Sequence, residues 1–280
     1  MVYIRAKKVK SDQYLYLVKS VWDSKNKTSK QEIVKYLGKA SEVIVEDLPI
    51  DYRNDSKILS IIAKYNPKDI KNNEVATKKI IEKLYKKLTD GNTQESLKIY
   101  QEYIKNQYFV NFFDEILKPV MYKIGEDWVE NKISVATEHI ASNTAQILVR
   151  TIMEQISKKP KKKKILLCVP IGEEHRLGID VLETYLSSKG FQVYNMGTSI
   201  PTESILNFID DNKPDIIFLS ITLKDNLKAG QRLVYKIKEQ SKIPILVGGF
   251  ATQGNTIPKF DAKIISNVRL DQIGQIIRSA

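Results

Sequence analysis

The chain has 280 residues, 42% of them hydrophobic and 28% charged, enough apolar material for about two packed domains and too much for a wholly disordered chain. Forty-five Lys and Arg against 33 Asp and Glu leave a net charge of +12, so a surface suited to nucleic acid or acidic partners is expected, with plainly solvated lysines as the alternative. No apolar run nears the roughly 18 residues of a membrane span; no secretory signal is visible, and the one cysteine, Cys168, excludes an internal disulfide and Cys-based zinc sites, so a cytoplasmic protein is expected.

Residues 1–53 read as a small β-rich unit. Tyr14-Leu15-Tyr16-Leu17-Val18 has the aromatic and β-branched content of a strand, Asp23 to Thr28 reads as a hairpin loop, and Ile33 to Gly38 continues as a strand or a short helix. Residues 1–40 hold ten Lys or Arg against three acids, with tyrosines and a tryptophan interleaved. Two readings fit this pattern: a nucleic-acid face, or a solvated sheet face over an aromatic core. Asn66-Pro67-Lys68-Asp69 and Asn72-Asn73 suggest a loose joint, so 54–73 is expected to be a linker.

Residues 74–158 carry helical spacing. Val75, Ile80, Ile81, Leu84 and Leu88 form one stripe, Gly91 and Thr93 mark an end and a start, and Leu97 to Ile104 continues the pattern. Phe109 to Trp128 makes a third helix, bent or begun afresh at Pro119, and Ile133 to Ile156 a fourth. Short links predict a four-helix bundle. The run Lys158-Lys159-Pro160-Lys161 to Lys164 reads as a solvated tether.

Residues 163–280 alternate apolar strands (165–169, 191–196, 215–220, 243–247, 262–265) with helical stretches (176–189, 202–212, 226–241, 269–279). That pattern predicts a five-stranded parallel sheet with helices on both faces, whose ligands bind beyond the strands' C-terminal ends. Glu173-Glu174-His175-Arg176-Leu177-Gly178 follows the first strand, Gly197-Thr198-Ser199 the second, Ser220-Ile221-Thr222 the third and Gly248-Gly249 the fourth. Glu173 can accept one imidazole N–H of His175 and strengthen the other nitrogen as a ligand. Gly178 allows close backbone approach, and Ser220, Thr222, Gly248 and Gly249 are small enough to leave a channel.

With Glu-x-His-x-x-Gly, Ser-x-Thr and Gly-Gly on a flavodoxin-like (Rossmann-like) sheet, the chain resembles the cobalamin-binding domains. The resemblance implies His175 as the lower axial ligand of cobalt, replacing the cofactor's own benzimidazole, and Glu173 as its supporting partner. It implies a channel for the benzimidazole tail lined by Ser220, Thr222, Gly248 and Gly249. Glu173 stands where most methyl-carrying corrinoid proteins have Asp, and in this it resembles the sensory CarH-type cobalamin photoreceptors. Trp128, followed after nine residues by Glu138-His139, resembles the motif by which CarH-type bundles cap an adenosyl group. That likeness implies an upper-face site of Trp128, Val135, Glu138 and His139. Two positions depart from it. The residue after the tryptophan, often a histidine in the light-sensing proteins, is Val129, which cannot ligate. Residues 1–53 lack a winged-helix pattern and resemble instead the basic β-rich start of some insertion-sequence transposases.

The resemblance implies a cobalamin-binding sensor or regulator. Adenosylcobalamin is favoured over methylcobalamin; with that form light is a candidate signal, and residues 1–53 are the candidate DNA-binding output. The alternative is a corrinoid carrier of a methyltransferase system; a third reading is a nucleotide-binding flavodoxin-like protein with a helical appendage. No catalytic constellation independent of the cofactor stands out, no membrane contact is expected, and a homo-oligomer is compatible with the chain.

Overall fold

A computed structural model describes residues 2–23, 28–53, 55–156, 163–254 and 257–279. The inner residues of the hairpin loop read at 23–28 and most of the lysine-rich joint lie outside this set. Contacts divide the chain into two units, residues 1–87 with 94–130, and residues 88–93 with 131–280.

The first unit opens with an antiparallel sheet in the order β1 (Val2–Val9), β2 (Asp12–Asp23), β3 (Thr28–Lys39). Ile33 to Gly38, open between strand and helix in the sequence, lies in β3; its branched and aromatic residues fit a pleated surface. Leu15 pairs with Gly38 and Tyr16 with Tyr36, so Leu37 is the extra residue of a bulge. One face buries Ile4, Leu15 and Leu17, with Leu37, against Val43, Leu48 and two residues of helix α1 (Ser56–Tyr65), Ile58 and Ile62.

Of the stretch 54–73, expected as a linker, residues 56–65 lie in α1 and 67–73 in the first turns of α2 (Pro67–Thr89). Asp55 caps α1 by accepting the amides of Lys57 and Ile58 at 2.9 and 3.1 Å. Ile58 and Ile62, one turn apart, give α1 a buried stripe, and Pro67 stands at the first position of a helix, where its missing N–H costs nothing.

Helix α3 (Thr93–Tyr103) follows, then a continuous but uneven helical run: α4 (Phe109–Asn111), a π turn (Phe112–Leu117) and α5 (Lys118–Val129). The break expected at Pro119 is this wide turn. Pro119 has no N–H to offer, and the amide of Lys118 reaches back five residues to Phe113. Tyr100 and Tyr103 pack their rings on Phe112 with centroids 5.1 and 5.7 Å apart.

In the second unit α6 (Val135–Gln155), capped by Ser134 through the Thr137 amide at 3.1 Å, packs on α7 (Leu177–Ser188). A parallel sheet runs in the order β5 (Gln192–Asn195), β4 (Lys164–Cys168), β6 (Ile216–Ser220), β7 (Ile245–Gly248), β8 (Lys263–Ile264). Helices α8 (Thr202–Asn212), α9 (Leu227–Gln240) and α10 (Leu270–Ser279) complete the alternation. The core joins Leu166, Cys168, Ile217, Leu219 and Val247 of the strands to Ile205, Ile209, Leu233 and Ile237 of the helices. After β4 the chain steps outward to β5 and then returns to β6 on β4's other side. The strand order therefore reverses between β4 and β6, the place where such sheets open a crevice.

Candidate cofactor-binding site

The loops after β4 and β6 meet at that reversal through one buried carboxylate. Glu173 is completely buried. Its Oε1 accepts the backbone N–H of His175 at 3.1 Å and pairs with His175 Nδ1 at 2.6 Å. Its Oε2 accepts the amides of Thr222 and Leu223 at 2.9 and 3.0 Å and the Asn226 side-chain amide at 3.1 Å. Burial alone would raise the Glu173 pKa. The hydrogen bonds from His175, Leu223, Asn226 and Thr222 outweigh it and hold the carboxyl at about 2, so it is an anion at every physiological pH.

That anion fixes the imidazole. With Nδ1–H donated to Glu173, Nε2 is the nitrogen left with a lone pair, and it has no protein partner among the described residues. The His175 side chain is 43% exposed, so Nε2 is accessible. The His175 pKa is raised, first by the bond to Glu173, with burial opposing and the charges of Glu173, Glu138 and Glu174 adding.

The glycines pack closely on neighbouring loops. A Cβ on Gly178 would lie 3.5 Å from Ser220 Oγ, so these two face each other. Gly249 has φ +104°, and a Cβ there would collide with the carbonyl oxygen of Ile221 and come within 2.7 Å of its nitrogen. A Cβ on Gly248 would lie 3.2 Å from Ile265 Cγ1. Thr222 takes part through its backbone amide. Ile171, Leu223 and Phe250, on the loops after β4, β6 and β7, are all exposed, an apolar rim of a kind that suits a large, flat ligand.

Of the expected upper-face residues, three lie at the start of α6. Glu138 accepts Ser142 Oγ at 2.6 Å and pairs with His139 Nδ1 at 2.6 Å, while His139 and Val135 are exposed. Trp128, near the end of α5 in the other unit, is 40% exposed. One contributor, Asn226, had escaped the sequence reading, and Ser199 stood in it only as part of a strand-end loop. Asn226 donates to both Gly172 O and Glu173 Oε2, and Ser199 donates to Glu174 Oε1 at 2.8 Å, tying the loop after β5 to the loop after β4. Asn226 immediately precedes α9, where the strand-end rule could have pointed to it.

Among the described residues no three of His, Cys, Asp and Glu gather as a chelating set. A metal held by His175 alone must bring most of its ligands with it, as the metal of a macrocycle does. The donor, the exposed apolar rim and the glycine-lined loops fit such a group.

Comparison with known proteins agrees. Residues 163–262 match the family described as B12 binding domain, and residues 80–152 match a second family of the same description. The HTH-type transcriptional repressor CarH of Myxococcus xanthus is 24% identical over 145 residues, 51% of this chain and 48% of that protein. The match thus spans about half the length of that relative. The trimethylamine corrinoid protein of Methanosarcina barkeri is 20% identical over 163 residues, 56% of this chain and 75% of that protein. Among solved structures, the monomethylamine corrinoid protein of Methanosarcina barkeri shares the fold, with a TM-score of 0.60 over 72% of this chain and 99% of that one at 15% identity. These matches support cobalamin binding, and the chain is similar to CarH-type proteins.

Proposed function

We propose that this chain, which carries two consecutive B12 binding domains, is a cytoplasmic cobalamin-dependent regulator rather than a standalone catalyst, and that its basic front sheet acts on DNA. The observation behind the first part is the Glu173–His175 pair, a buried anion presenting a single unpartnered imidazole nitrogen. His175 Nε2 is the atom that would hold the cobalt. Glu173 keeps the proton on Nδ1 and so keeps Nε2 free. Gly178, Ser220, Thr222, Gly248 and Gly249 are the residues that would line the cofactor's tail. Trp128, Val135, Glu138 and His139 are the residues that would contact the cofactor's adenosyl group, with Ser142 holding the Glu138 carboxylate in place. Adenosylcobalamin is the favoured form; when bound it supplies a cobalt–carbon bond that light can break. The Val129 side chain carries no donor atom and would not hold the metal.

The full chain mixed with adenosylcobalamin in the dark should give the spectrum of a histidine-ligated, base-off cofactor, and His175→Ala should lose it. Retention of that spectrum by the variant would refute the ligand assignment. DNA binding of the loaded chain, measured in dark and light, tests the regulatory half. A second reading, a corrinoid carrier serving a methyltransferase, is favoured by the match that spans 75% of the trimethylamine corrinoid protein. It predicts no affinity for nucleic acid in either state.

A further inference from the structure

The N-terminal sheet has two unlike faces. One is closed by the loop and helix α1 over Ile4, Leu15 and Leu17. The other carries Arg5 and Lys7 of β1, Tyr14 and Tyr16 of β2, and Tyr36 and Lys39 of β3. Register aligns them in two cross-strand rows, Arg5–Tyr16–Tyr36 and Lys7–Tyr14–Lys39. The rings form one continuous patch: Tyr16 and Tyr36 have centroids 5.0 Å apart, and Tyr14 and Tyr36 lie stacked at 6.4 Å. Tyr36 is 52% exposed, and Arg5 and Lys7 are exposed beside the patch. Lys39 is engaged by Asp12 at 3.0 Å, and Arg5 leans across the sheet toward β3, to Gln31 at 2.7 Å.

From this arrangement we infer that the open face binds an unpaired nucleic-acid strand, its bases stacked on Tyr14, Tyr16 and Tyr36 and its phosphates along Arg5 and Lys7. The inference rests on the reading that the front sheet contacts nucleic acid, and it names the face and the form of the ligand. An aromatic patch on an open sheet is of use to a strand whose base faces are free. In a duplex those faces are already stacked on one another, and a three-stranded face is broader than the helix or two-stranded ribbon that a groove admits. The positive edge supplies the sequence-independent attraction, which screens with salt.

The test uses the full chain and a fluorescently labelled mixed-sequence oligonucleotide, single-stranded or annealed to its complement, read by anisotropy at two salt concentrations. The single strand should bind more tightly than the duplex. Tyr36→Ala should weaken single-strand binding by about 5- to 150-fold, the loss of one base–ring stack, while Tyr36→Phe, which keeps the ring, should stay close to the parent. Lys7→Glu, remote from any fold-determining contact, should weaken binding and flatten its salt dependence. Tighter binding of the duplex, or indifference to Tyr36→Ala, would overturn the stacking face while leaving a front-sheet role on DNA standing. Absence of binding to either form would overturn both.

Discussion

Glu173 Oε2 accepts the backbone amide of Thr222 at 2.9 Å, so a buried carboxylate after β4 is stitched to the loop after β6, across the point where the strand order reverses. The same carboxylate orients His175 through its other oxygen. Ligand geometry and loop geometry therefore depend on one side chain.

Glu173→Gln separates these dependences. Five donors converge on two acceptor oxygens, and an amide offers only one oxygen. Either the His175 pair or the Thr222, Leu223 and Asn226 group loses its acceptor, and each buried group so stranded costs about 1–3 kcal/mol. Thermal unfolding should fall by several degrees, at roughly 2–4 °C per kcal/mol for a chain of this size. Cobalamin affinity should drop about 10- to 100-fold through the lost orientation of the imidazole. A variant with unchanged melting and unchanged cofactor titration would show that the carboxylate is dispensable.

Gly249 and Gly230 approach one residue, Ile221, from two directions. At Gly249 a methyl group would meet Ile221 backbone, and the φ of +104° strains any L side chain. At Gly230, inside α9, it would meet side chains and no backbone, chiefly the terminal Cδ1 of Ile221, and alanine there favours the helix by about 1 kcal/mol. Gly249→Ala should therefore cost several degrees of melting temperature and weaken cofactor binding, whereas Gly230→Ala should shift melting little. Equal effects would mean that the loop after β7 moves freely.

The sheet was legible because its strands are buried on both sides. Runs such as Ile165 to Val169 and Ile216 to Leu219 are apolar without alternation, and turn residues bound them closely. The site was legible for the same reason: once strand ends are known, Glu173, His175, Ser220 and Gly249 must lie on one edge. Helix α1 was not, since Asp55, Lys57 and the Asn66–Pro67 step read as a polar joint. Only burial of Ile58 and Ile62 under the sheet makes the segment fold. Nor does periodicity tell which neighbours a helix chooses; α6 continues the helical pattern of α5 yet packs on α7. Asn226 was missed because a single amide before a helix reads as an ordinary cap.

Cys168 offers a probe of unfolding. Its thiol is fully buried in β4, faces Phe218 O at 3.7 Å, and is pushed up to about 12 by burial. The nucleophile is the thiolate, so at pH 8 the native protein should resist an aromatic disulfide reagent and release one equivalent on denaturation. The rate of labelling in native buffer should follow the rate of opening of the sheet. Immediate stoichiometric labelling would contradict the burial of β4.

Alkaline pH should unfold the first unit in a window set by its tyrosines. Burial pushes the Tyr100 phenol to about 12, and burial together with the 2.8 Å bond to Asp127 does the same for Tyr85. Both groups are neutral when protonated, and their folded values lie above the ordinary 10. The unfolded chain thus releases these protons near pH 10, while the folded chain retains them until about 12. Their stabilising contribution is complete below pH 10 and is lost as pH rises through the folded value. Above pH 10 the urea midpoint should decline, with the deeply buried Tyr100 contributing a slope of up to about 1.4 kcal/mol per pH unit. Tyr100→Phe keeps the ring packing on Phe112 and removes the proton, so its midpoint should decline less steeply than the parent's between pH 10 and 12. Identical slopes would show that Tyr100 does not titrate differently in the two states.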